Sequence, residues 1–121
     1  MANNYVSPGD VIDYTNGGSA ISAGDVVRVG QVLGIALVDI ANGATGSVQI
    51  RGRFTVAKVS AAVIAQGESL TWDASASAFD DNAATPATGD VQGPPAVAAA
   101  AYGSGTTSMD VILTGVPGTV T

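Results

Sequence analysis

Four short stretches constrain the fold of this chain more than anything else in it: PGDV at Pro8 to Val11, AGDV at Ala23 to Val26, QGES at Gln66 to Ser69, and TGDV at Thr88 to Val91. Each sets a glycine before an acid, and each leads into a β-prone or alternating run. Glycine supplies the positive φ of a tight turn, and the neighbouring carboxylate accepts main-chain N–H groups there. Turn signals recurring between short β-rich runs predict an all-β fold, a compact antiparallel β-sandwich or β-barrel.

The runs between the turns agree. VIDYT (Val11 to Thr15) and VVRVG (Val26 to Gly30) are short and β-branched, and VLGIALVDI (Val32 to Ile40) is nearly continuous apolar sequence, as in a strand buried on both faces. ANGATG is a turn cluster, and SVQIRGRFTV (Ser47 to Val56) reads as one strand with Val48, Ile50, Phe54 and Val56 on one side. SLTWD alternates, and SMDVILTG, with Met109, Val111 and Leu113 inward and Asp110 outward, serves as the final strand. VSAAVIAQG (Val59 to Gly67) fits a helical turn or a strand. AVAAAAYG, after Pro94 and Pro95, is expected as a strand, and GSGTT (Gly103 to Thr107) as a hairpin turn. Ala74 to Gly89 reads as a strand fragment around Phe79 followed by a long surface loop. The expected organisation is an extended N-terminal arm over residues 1–10 and a single β domain over residues 11–121.

Little in this sequence can do chemistry. It has no cysteine and no histidine, which removes thiolate nucleophiles, disulfides and the usual zinc and haem ligands. Asp80-Asp81-Asn82 lacks the alternating spacing of a calcium loop, and GSGTT lacks the lysine of a phosphate loop. Asp10, Asp25, Glu68 and Asp90 occupy the same place in the four turn signals, so turn stabilisation accounts for them together. No catalytic residue, metal ligand or cofactor is expected, and the chain reads as a non-enzyme. A net charge of −6 argues against nucleic acid as a partner. The longest apolar runs fall far short of the roughly 18 residues that span a bilayer, so no membrane partner is expected either.

Charged residues make up 12% of the chain, about half the usual share. Of only four basic residues, Arg51 and Arg53 stand two apart on the outward side of one strand. They suit a solvated outer face, or a carboxylate-bearing partner or sister subunit gripped by guanidinium forks, in preference to nucleic acid or a glycan, which the net charge disfavours. Trp72 and Phe79 are expected in the core. Tyr5, Val6 and Tyr14, with Arg51 and Arg53, form the candidate interface set, and Tyr102 is a further aromatic suited to an interface.

The order NNYVSPGDVIDYT, then SAGDVVRVGQVLGIALVDIANGATGSVQIRGRFTVAK, then GESLTWDASASAF, then TGDVQGPPAVAAAAYGSGTTSMDVILTG closely resembles the small capsid cement, or decoration, proteins of tailed bacteriophages. The likeness runs over nearly the whole chain and departs at Gly93 to Val97, where Gly-Pro-Pro replaces a simpler Gly-x-Ala approach to a strand. It implies a structural protein on the outer surface of the virion capsid, made in the host cytoplasm, that binds the major capsid protein and itself, as a homotrimer in preference to a homodimer. The sparse charge suits that role, because interface cores are depleted in Lys, Glu and Asp. The alternative is a non-catalytic module binding a glycan or receptor on a fibre or surface structure.

Overall fold

Short β-branched runs cannot bury themselves singly; they satisfy their main-chain groups only by laddering with neighbours. The computed structural model describes residues 6–121, and among them the chain forms two antiparallel sheets and no helix. The first contains β1 (Val11–Thr15), β2 (Val26–Val29), β3 (Val32–Ala36) and β4 (Thr45–Gln49) in the order β1-β4-β3-β2. The second contains β5 (Arg51–Ala57), β6 (Ser69–Asp73), β7 (Ala78–Asp80), β8 (Val91–Ala98) and β9 (Ser108–Thr114) in the order β5-β9-β8-β6-β7, with β10 (Thr119–Val120) paired to β8.

The Gly-acid signals become one device used three times. Asp25, Glu68 and Asp90 each accept the main-chain N–H of the residue three earlier: Ser22, Ala65 and Ala87. The acid's own N–H returns to that residue's carbonyl, and the intervening glycine has a φ of +93°, +81° or +92°. Gly24, Gly67 and Gly89 then donate to the carbonyls of Ala36, Ala98 and Thr121, whose N–H groups donate back to the acids' carbonyls. Each turn is thereby riveted to the end of a distant strand. The fourth signal keeps only part of this. Gly9 has φ +81° and the Asp10 carbonyl accepts the Ile50 N–H, but the Asp10 carboxylate faces Arg51 instead.

Strand β3 joins the two layers. Leu33 and Ile35 lie in the main core with Leu70, Trp72, Phe79, Val111 and Leu113, while Ala36, on the other face, packs with Val27, Ile40 and Val48 in a second core. Burial on both faces is as the apolar run implies. The strand stops at Ala36, however, and Leu37 and Val38 are exposed. Between the cores, Gly34 lies so close to Val48 and the Gln49 carbonyl that a Cβ has no room.

The second sheet curls until its two edges meet. Lys58, just after β5, forms a parallel bridge with Phe79 of β7, and the Val59 N–H donates to the Phe79 carbonyl. At this closure the Lys58 side chain is only 4% exposed. Its Nζ lies 2.9 Å from the Val59 carbonyl, 3.2 Å from Gly103, 3.3 Å from Thr106 and 3.5 Å from Ser60. No carboxylate pairs with it among the described residues.

Several expectations are corrected. Ser47 to Val56 is not one strand: β4 ends at Gln49, β5 starts at Arg51, and the two lie in different sheets. The Ile50 N–H bonds the Asp10 carbonyl, the Gln49 side chain caps the Arg51 carbonyl, and Gly52 adopts φ +130°, which together turn the chain from one sheet into the other. Side-chain alternation survives the crossing. Pro94 and Pro95 lie within β8 rather than before it. Pairing with β6 jumps from Ser69↔Val97 to Leu70↔Gly93, so the prolines occupy a bulge where no N–H is needed. Val59 to Gly67 is neither helix nor named strand; it is a turn closed from Ala62 N–H to the Val59 carbonyl, with one bridge from Ile64 to Tyr102. The last strand is β10, not β9.

Two substitutions test these contacts. Lys58→Met keeps the stem and removes the ammonium, leaving four carbonyls without their donor. It is expected to cost about 1–3 kcal/mol, read as a lower urea midpoint at unchanged slope. Gly34→Ala overpacks the seam between the cores and is expected to cost about 1–3 kcal/mol on the same measurement.

Candidate functional site

Strand β5 is an edge of the second sheet, and its alternation decides what that edge shows. Val56 is buried and Gly52 and Phe54 are half-buried, while Arg51, Arg53 and Thr55 point out. The ladder with β9 sets Arg51 opposite Thr114, Arg53 opposite Ile112 and Thr55 opposite Asp110. Directly opposed residues share a face, so one outward surface collects both arginines, two threonines, Asp110 and Ile112.

Asp110 organises this surface. Its Oδ2 receives Arg53 Nη2 at 2.9 Å and Nε at 3.1 Å, and its Oδ1 receives the Thr55 hydroxyl at 2.6 Å. The Thr55 hydrogen bond first, and Arg53 second, hold the Asp110 carboxyl below its ordinary value of 3.8. The Asp110 N–H donates to the Tyr102 hydroxyl at 2.9 Å, so that phenol is engaged within the chain. Arg51 is held more loosely, 3.5 Å from Asp10, with both side chains more than half exposed. Such pairs contribute little to stability, and the guanidinium stays available to a further carboxylate. Ile112 is 43% exposed beside Arg53, and the half-buried Val97 of β8 lies opposite it on the other side.

The other sequence-designated residues lie elsewhere. Val6 is 92% exposed ahead of β1. Tyr5 falls outside the described residues. Tyr14 is half-buried on β1 of the first sheet, packed against the second core. The structure therefore sets Arg51 beside Asp10 and Arg53 beside Asp110 on one outward surface, and sets Tyr14 in the other sheet. Alternation already put Thr55 on the outward side with Arg51 and Arg53, while Ile112 and the acid that pairs with Arg53 were missed as members of this surface. Alternation in SMDVILTG already put Asp110 outward; only the β5–β9 register could join it to Arg53.

The acids of the three complete turns hold main-chain N–H groups, and no three His, Cys, Asp or Glu residues converge as metal ligands among the described residues. The family model for phage cement proteins matches residues 6–113, nearly the whole chain, and the chain belongs to that family. No curated protein matches it.

The pH dependence of stability follows from two carboxyls. Asp110 and Asp73 both titrate below 3.8 in the folded chain, Asp73 because the Ser75 hydroxyl and then the Ala76 N–H bond its carboxylate. The unfolded chain therefore binds more protons as pH falls through that region. Their contribution is complete above the ordinary value and is lost as pH drops through the depressed folded values. The melting temperature should hold from neutral pH down to about pH 5 and decline below about pH 4. Asp110→Asn should shrink that decline in thermal melts.

Proposed function

We propose that this cement-family chain binds the outer surface of an expanded tailed-phage head and bridges neighbouring copies of the major capsid protein, as a homotrimer in preference to a homodimer. The family match over residues 6–113 carries the reading. The outward β5–β9 surface supports it: guanidinium forks at its edge and an exposed Ile112 near its centre suit a carboxylate-bearing protein partner. In this reading the arm over residues 1–10, with Tyr5 and Val6, reaches a neighbouring subunit from the β domain over 11–121, and Tyr14 lies near that contact. Many copies on one lattice turn a modest contact into a large total. A glycan-binding module would present flat aromatic faces; Tyr14, Phe54 and Tyr102 are half-buried, and Trp72 and Phe79 are buried.

The test is a mixing experiment with expanded and unexpanded empty heads, followed by sedimentation and counting of bound copies. Saturable binding to expanded heads, at a stoichiometry matching one symmetry axis, is the expected outcome; binding to neither form would end the proposal. The Arg51→Ala/Arg53→Ala double variant is expected to bind about tenfold more weakly, with a reduced dependence on salt. Unchanged decoration by that variant would remove this surface from the contact.

A further inference from the structure

Asparagine is followed by glycine twice in this chain, at Asn16-Gly17 and at Asn42-Gly43. Such a pair is chemically labile: the glycine main-chain nitrogen can attack the asparagine side-chain carbonyl, and with no Cβ nothing shields it. The fold brings the two pairs together. The Gly43 N–H donates to the Asn16 carbonyl at 2.6 Å, and Asn42 Nδ2 donates to the Gly18 carbonyl at 2.6 Å. These two bonds clasp the loop after β1 to the turn between β3 and β4.

The surroundings of the two asparagines differ. Asn16 is only 2% exposed. Its Nδ2 donates to the Ser19 carbonyl at 2.8 Å and the Ile40 carbonyl at 2.9 Å, and its Oδ1 accepts the Gly18 N–H at 2.9 Å. The Gly17 N–H makes no bond among the described residues, so at this pair the nucleophile is free and its target is locked. Turning the Asn16 Cγ toward it breaks all three side-chain bonds in a place closed to solvent base.

Asn42 is the reverse case. It is exposed, in the turn that the Ala44 N–H closes on the Ala41 carbonyl, and its amide rests on the single bond to Gly18. Gly43 is exposed too, with φ +80°, and its N–H is tied only to Asn16. Freeing both reacting groups therefore takes the opening of one surface turn, and surface turns open far more readily than the core.

We infer that Asn42 is a site of spontaneous deamidation in the folded chain and that Asn16 is protected from it. The Gly43 nitrogen gives its proton to solvent base and bonds to Asn42 Cγ. The Cγ–Nδ2 bond breaks, and the amide nitrogen takes up a proton and leaves as ammonia. Water then opens the cyclic imide at either carbonyl, giving aspartate or its β-linked isomer at position 42. Either product lacks the NH2 that Gly18 receives, so the clasp loses that bond. This inference is independent of the capsid reading.

The experiment incubates the purified full chain at mildly alkaline pH, folded in buffer and unfolded in guanidinium chloride, and follows each asparagine by peptide mass mapping. In the folded chain Asn42 should convert at least about tenfold faster than Asn16, whose amide is held by two more hydrogen bonds and by burial. Unfolded, the two should convert at similar rates. Equal or faster conversion at Asn16 in the folded chain overturns the assignment, and so does a folded chain in which Asn42 stays intact. Asn42→Asp, which reproduces one product, should melt a few degrees below wild type. An unchanged melt would remove the weakening of the clasp.

Discussion

A lysine ammonium that has left water must find oxygens enough to replace its hydration shell. Lys58 finds four main-chain carbonyls from two separate loops, at 2.9 to 3.5 Å, and no carboxylate. Those loops meet only if β5 ends where β7 begins and the β8–β9 connection folds back over both. The cation thus requires the closed form of the second sheet, since any partial opening strands either the charge or the carbonyls in a poorly solvated place. That closure fixes the far end of β5, the strand whose ladder with β9 carries Arg51 and Arg53.

The remaining order comes from repetition. Three turns of identical hydrogen bonding pin the starts of β2, β6 and β8 to the ends of β3, β8 and β10, linking segments as far apart as Asp90 and Thr121. Fixing both ends of a strand in this way restricts its register without long side chains, which suits a chain with 16 glycines and few charges. The two faces of β3 then tie the layers together, and the tight approach at Gly34 leaves them no freedom to slide.

Much of this was legible before any coordinates. The Gly-acid repeats gave the turns because their chemistry is local: a positive φ and a carboxylate three residues from an N–H. Alternation gave the inward Met109, Val111 and Leu113 and the outward Arg51 and Arg53. What stayed hidden was non-local. Period-two alternation continues unbroken through Ile50, so nothing in SVQIRGRFTV betrays a change of sheet. Lys58 in FTVAKVS looks like any strand-end lysine, because its partners at Gly103 and Thr106 lie some forty-five residues away. Pro94 and Pro95 argued against a strand at their own position, and only the bulge opposite β6 makes room for them. The pairing of Arg53 with Asp110 required a register that no single strand encodes.

The fourth Gly-acid turn differs from its siblings in what holds its acid. In the other three the acid is bonded to its own turn, a short-range contact to which dissolved ions are nearly indifferent. Asp10 is held by one main-chain bond to Ile50 and a solvent-facing approach to Arg51, which mobile counterions weaken within about 10 Å at moderate concentration. The Asp10 side chain is accordingly held by a contact that the electrolyte weakens, while its carbonyl keeps the Ile50 bond. Ionic strength thus acts on the Asp10–Arg51 approach and far less on the three turns whose acids bond their own main-chain N–H groups.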